Sequence, residues 1–288
     1  MKQFLFSAAV LITVNIFAQG YTPAVKLTAG EKYTVITTTK GNMSQEVMGQ
    51  TMEIPMDITI NSLLEVKAAS DAGCQLSTAN NHIVLSMSMM GQDINYDSDK
   101  KEDRDGQLGG TMGDMLNKST AFNINKFGKI DESSIVKPAR DKNDAASANP
   151  ILGMINMGDA DVPSPAVDLF KTDTEIKVGD SFTDSSTSAD GKDKKSMTYT
   201  LAEVKDGAAK FTVAGSSALT KEMEMQGMQT TSVTNTKITG EMWVNAVNGL
   251  LAKKVLNMAI TGSVEVAGMN IPVSGSNTIT ITVAEAGK

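Results

Sequence analysis

Strict alternation constrains this chain more than any other feature. In "TMEIPMDITIN" (residues 51–61), Met52, Ile54, Met56, Ile58 and Ile60 alternate with Glu53, Pro55, Asp57 and Thr59. A period of two places all five apolar side chains on one face of a β-strand, whereas a helix would scatter them around its circumference. Such a strand needs neighbours with the same pattern, and glycine-centred phrases supply them: "EVMGQTMEIPM", "SMMGQDINY", "EMEMQGMQT" and "VEVAGMNIPV" each set a glycine between two alternating runs. Each reads as a hairpin with glycine first in a two-residue turn, where positive φ costs it nothing. A turn at Gly49-Gln50 sets Val47 opposite Met52 and Met43 opposite Met56. One at Gly91-Gln92 sets Met89 opposite Ile94 and Met87 opposite Tyr96. One at Gly268-Met269 pairs Val266 with Ile271, and one around Gly227 pairs Met225 with Thr230 and Met223 with Ser232.

Other corners follow the same logic. Turns are expected at Asp206-Gly207 and Asn248-Gly249, around Asp71 and Gly73, and near Phe127-Gly128. "GGTMGDMLNKS" suits a short helix through Met112, Met115 and Leu116. "NPILGMINMG" suits another, with Asn149 as N-cap and Pro150 at the first helical position. "ESSIVKPARDKNDAASA" (132–148) is polar and reads as irregular. The expected fold is mainly β: antiparallel meanders in two related halves, 19–107 and 166–288, forming a curved sheet or open barrel. A small, partly helical connector (108–165) lies between them, across one end or face of the sheet.

Residues 1–18, "MKQFLFSAAVLITVNIFA", combine an early Lys2 with an apolar run ending in a small residue, the build of a secretory signal peptide cleaved after Ala18. The remaining chain contains no apolar stretch long enough to span a bilayer as a helix, so no transmembrane segment is expected in the mature chain. The single cysteine, Cys74, allows no internal disulfide. With a net charge of −7 and only two arginines, Arg104 and Arg140, the chain lacks the clustered positive charge that nucleic acid requires.

Methionine is the compositional excess, nineteen in all. Thioethers bind Cu(I), and Met87 with Met89, or Met223 with Met225, have strand spacing for two sulfurs on one face. Their alternation with Ile and Val marks them instead as apolar filler, and no metal or cofactor is expected. Methionine also adapts to apolar partners of irregular shape. A concave face carrying Met52, Ile54, Met56, Met87, Met89, Ile94, Tyr96, Met223 and Met225 is therefore the candidate ligand surface, for a lipid or other apolar molecule. The acidic run "DINYDSDKKEDRDG" fails calcium-loop spacing, since Lys101 stands fifth from Asp97, and reads as a solvated loop. A nucleophile–base pair is limited to Cys74 with His82, the only histidine, and no nucleophile elbow, phosphate loop or zinc-spaced set is present. No enzyme activity is expected.

The order of "FAQ", "QEVMGQTMEI", "LEVKAASDAG", "SMMGQDINYDSD", "FNINKFGKI", "IKVGDSF" and "YTLAEVKDGAAKF" resembles an uncharacterised family of exported Bacteroidota proteins. The resemblance implies a periplasmic, outer-membrane-associated or extracellular location. The outline is also similar to lipoprotein-carrier folds, in which short helices cover a curved antiparallel sheet. Two functions lead: an exported binding protein for a lipid or apolar ligand, and an envelope interaction module with a filled core and strand edges that pair with an envelope protein; behind them stand a Cu(I)-binding protein and a hydrolase whose carboxylates the fold would have to bring together.

Overall fold

The computed structural model describes residues 20–47, 49–89, 91–106, 108–137, 163–170, 174–225, 228–266 and 268–287. The expected signal peptide, the helix expected from Asn149 and the polar stretch beyond Lys137 lie outside the described residues. In chain order the strands are β1 (Gly20–Tyr21), β2 (Lys32–Val47), β3 (Gln50–Ser70), β4 (Gly73–Met89) and β5 (Gln92–Asp97). Two single-turn helices follow, α1 (Lys101–Arg104) and α2 (Gly109–Gly113), then β6 (Thr120–Asn125), β7 (Ile130–Val136) and β8 (Ile176–Lys177). The chain continues through β9 (Ser181–Thr187), β10 (Lys194–Lys205), β11 (Ala208–Met225), β12 (Met228–Asn245), β13 (Leu251–Val266) and β14 (Met269–Glu285).

Twelve of these strands make one large, curved, antiparallel sheet that does not close. Its order is β7-β6-β4-β3-β2-β14-β13-β12-β11-β10-β9, with β5 also on β4, while β1 and β8 pair with each other. The connector's hairpin extends the sheet rather than crossing its end or face. β5 pairs only with Val84–Met89 and leaves Gly73–Thr78 on the same edge of β4 free, so β6 takes that space. Residues 132–136, expected to be irregular, form most of β7.

The glycine-cornered hairpins form, with one correction. At Gly49, Gly91 and Gly268 glycine occupies the second turn position, not the first: Val47 pairs with Gln50, Met89 with Gln92 and Val266 with Met269, and in the fourth hairpin Met225 pairs with Met228. Gly49, Gly91 and Gly268 have φ of 75°, 75° and 79°, so the positive angle falls at the turn's second residue. The slip moves every partner by two residues: Met43 faces Ile54 rather than Met56, and Leu85 rather than Met87 faces Tyr96. A shift of two preserves the face, which is why alternation identified the buried side while the partners were displaced. At the expected turn, Asp206-Gly207, both residues have positive φ, 50° and 76°; Lys205 pairs with Ala208, and a bulge at Ala202 then brings Leu201 opposite Phe211.

All inward side chains share one face, which carries two apolar clusters. The larger lies at the end of the sheet away from these glycine corners and joins both halves: Leu64, Val66 and Leu76 meet Leu201, Phe211, Met242 and Val244. Rings of Tyr21, Phe170 and Phe211 pack in its centre, with centroids 5.2–6.0 Å apart in tilted and edge-on pairs. Inward glycines let long strands bend over these contents. A Cβ at Gly41 would lie 1.7 Å from Asn277 Oδ1, and one at Gly275 would lie 2.5 Å from Met43 Sδ.

Candidate functional site

The second cluster belongs to the N-terminal half alone. Ile54, Met56 and Ile58 of β3, Ile83, Leu85 and Met87 of β4 and Tyr96 of β5 are buried together with Met112 of α2. Register explains the grouping. Met56 pairs with Met87, which pairs with Ile94; Ile58 pairs with Leu85, which pairs with Tyr96. Met43, Ile60, Ile94, Leu108, Met115 and Leu116 pack at the margins.

The segment from Ser98 to Asn117 forms a cap over this face, fastened to β4 at both ends. At the first end, the Ser98 and Ile83 backbones join at 2.9 Å (Ser98 N–H to Ile83 O), Ile83 N–H donates to Ser98 Oγ at 3.0 Å, and Arg104 Nη1 donates to Ser98 O. At the other end, Asn117 N–H donates to Asn80 O at 2.7 Å and Asn80 Nδ2 to Met115 O at 3.2 Å. Helices of four and five residues have little stability of their own, so packing of Met112, 1% exposed, holds the cap down. One polar atom sits within the cluster. Tyr96 is 1% exposed, and its hydroxyl finds no hydrogen-bond partner among the described residues. Burial also pushes its phenol above the usual range.

The fold thus gathers Ile54, Met56, Met87 and Tyr96 from the sequence-based candidates, with Ile94 at their edge; Met52 is half-buried nearer the turn. Met89, Met223 and Met225 have assigned backbone positions in β4 and β11, but their side chains lie outside the described residues. The β11 pair is not part of this grouping, because β11 stands five strand spacings from β3 along the sheet.

On the outer face, His82 Nε2 lies 2.9 Å from Asp97 Oδ1 and 3.6 Å from Asp99 Oδ2. The His82 hydrogen bond and the Asp99 backbone N–H hold the Asp97 carboxyl below the usual range. This triad goes unseen in the sequence because there Asp97 and Asp99 are weighed only as a calcium loop and His82 only as a base for Cys74. Cys74 is eight positions from His82 on the same strand, roughly 26 Å away. It is buried against Ile124, with its thiol pushed up by burial, so the two cannot act together. An open hollow of about 730 Å³ lies across β9–β13, lined by Ser185, Lys194, Ser216, Asn235, Thr236 and Lys237, among others.

The architecture is that of an open, curved antiparallel sheet protein with a small cap. No family model matches the chain and no curated protein matches its sequence. Among solved structures, it is similar to lipovitellin, in a structure titled for lipid–protein interactions, at 11% identity and a TM-score of 0.42. That match covers 91% of this chain and 26% of the lipovitellin chain, so the present chain spans about a quarter of it. It is also similar to an outer-membrane channel from Pseudomonas putida F1, at 7% identity and a TM-score of 0.24, over 91% of this chain and 98% of the channel. No described helix is long and apolar enough to cross a membrane.

Proposed function

We propose that this is an exported, non-enzymatic binding protein that takes an amphiphile with a long apolar chain, of the fatty-acid class, between the methionine face and its cap. The observation that carries the reading is the Tyr96 hydroxyl, buried among Ile, Leu and Met side chains without a hydrogen-bond partner among the described residues. Leaving such a group unpaired costs ~1–3 kcal/mol. A carboxylate or hydroxyl at the end of an apolar chain offsets that cost, while the chain replaces the cap's methionine contacts. Met56, Met87 and Met112 suit this exchange, because unbranched thioethers repack around irregular shapes. The short cap is held by hydrogen bonds at its two ends, by the Asp97 N–H to Asp103 Oδ2 bond and by Met112, and its one-turn helices make it the element expected to open at the lowest cost.

The test pairs oleate binding with Tyr96→Phe. Removing an orphaned hydroxyl leaves the ligand-free protein as stable as before, or more so, and weakens oleate about tenfold, one hydrogen bond's worth of ~1.4 kcal/mol. A less stable variant, or one that binds oleate as well as the parent, refutes the role of Tyr96. Native mass spectrometry of the purified protein then reads for co-purifying lipid. A clean ligand-free mass and no oleate uptake favour the second reading, an envelope interaction module. The observation behind that alternative is that β7 and β9 each pair on one side only among the described residues, leaving edges for an added strand.

A further inference from the structure

We propose that His82, Asp97 and Asp99 form a binding site for a zinc-type divalent cation on the outer face, at the root of the cap. Three elements of the fold bring these residues together. His82 points outward from β4 because its neighbour Ile83 points inward; Asp97 ends β5 opposite Val84; and Asp99 occupies the turn that follows, level with His82. Donors ~2.1 Å from a zinc-like ion lie about 3.0–3.4 Å from one another. Here His82 Nε2 is 2.9 Å from Asp97 Oδ1 and 3.6 Å from Asp99 Oδ2, and the three donor atoms lie within 4.8 Å of one another. A small contraction around an ion completes a facial set of one nitrogen and two oxygens, with the remaining positions open to water.

Asn61, behind the ring, is an independent observation. Its Nδ2 lies 3.4 Å from His82 Nδ1, and its Oδ1 is buried without a hydrogen-bond partner among the described residues. Amide oxygen and nitrogen exchange places on a half-turn of the side chain. The turned amide accepts a hydrogen bond from Nδ1–H, which satisfies Oδ1 and fixes the tautomer whose Nε2 lone pair faces the carboxylates. An oxygen that accepts from the far ring nitrogen is how a metal-binding imidazole is oriented. When the ion binds, Nε2 supplies its lone pair and the ring's single proton sits on Nδ1, held by Asn61.

The donor set selects the ion. Calcium takes six to eight oxygens, and this site offers two carboxylates and an imidazole. Cu(I) prefers thioether or thiolate, absent from the triad, whereas imidazole with carboxylate suits borderline first-row divalent ions. Lys100 Nζ, 4.0 Å from Asp97 Oδ2, opposes the ion but stands 65% exposed and free to swing away. The structural effect is a staple: strand β4 becomes bonded, through the ion, to the first residues of the cap. The assignment is independent of the amphiphile reading, since neither ligand shares a contact with the other.

The chain's only histidine makes the experiment selective. In tag-free protein, one equivalent of zinc is expected to shift the lone pair of imidazole ring-proton resonances and to raise Tm, because the ion binds the folded state. Asp99→Asn, at a side chain 76% exposed and so safe for folding, should abolish both effects; Asn61→Ala should weaken zinc about tenfold. Imidazole resonances that stay fixed in excess zinc overturn the proposal. So does a zinc-dependent rise in Tm that persists in Asp99→Asn, or stabilisation by calcium that leaves the imidazole unmoved.

Discussion

The two halves of the sheet share hairpins and long antiparallel strands, yet their inner faces differ in chemistry. One row crosses both: Ile54, Met43, Gly275, Ile260, Thr236 and Ser217 stand side by side from β3 to β11. At the β3 end the row is apolar and sits under the cap; at the β11 end it carries hydroxyls and belongs to neither apolar cluster. Period and turn chemistry build the frame in both halves, while the identity of the inward residues decides whether a frame acquires a core of its own. A binding surface rich in methionine is therefore a property of one half, and the larger shared cluster holds the two together.

Substitution within that row sharpens the contrast. Ile54→Ala is expected to cost about 2–4 kcal/mol in denaturant unfolding, because its side chain is buried under the cap and leaves a cavity. Thr236→Val, in the same row, should change stability by no more than about 1 kcal/mol. Equal losses would erase the distinction between the halves. A smaller effect is expected at the middle of the row: Gly275→Val drives a side chain against Met43 Sδ and the Asn42 carbonyl, costing about 1–3 kcal/mol. The loss should be felt by both halves, which local hydrogen exchange on β2 and β13 would show.

The smallest effect is alkaline. Tyr33, in the shared cluster, has its phenol pushed up to about 12, first by burial and then by the hydrogen bond to Glu31 at 2.8 Å and its charge. Its unfolded value is ~10. The folded value is the higher, so the stabilisation is complete below pH 10 and is lost as pH rises from 10 through 12. Tyr33→Phe should flatten that part of the Tm–pH curve. A slope unchanged in the variant would assign the alkaline loss to other groups.

Much of the frame was legible from alternation alone, since inward and outward sides are set by parity. Partners were not, because parity is blind to a slip of two. The slip followed from placing glycine first in the turn; with Gly91 second, His82 falls level with Asp99 rather than Lys101. Calcium-loop spacing tests the acidic run alone, so it could not show a histidine that only strand pairing brings beside Asp97 and Asp99. The β6–β7 hairpin was visible in "AFNINKFGKI", but its docking was not, because nothing local says that β5 stops halfway along β4. The Tyr96 hydroxyl was beyond sequence altogether, since absence of a partner is a property of the packed state.

The pairing at the centre of the sheet has a consequence for how the molecule is made. β2 and β14 bring Tyr33 beside Glu285, residues 252 positions apart (285 − 33), whereas nearly every other seam is a hairpin between successive strands. Closing so wide a loop is entropically slow to begin, and each meander must wait with a sixteen- or seventeen-residue edge unpaired. During that wait the middle of the finished protein is its most adhesive boundary, open to a second copy as readily as to its own other end. An early-folding half thus has more need of a chaperone than the mature sheet, whose outer edges are short and polar.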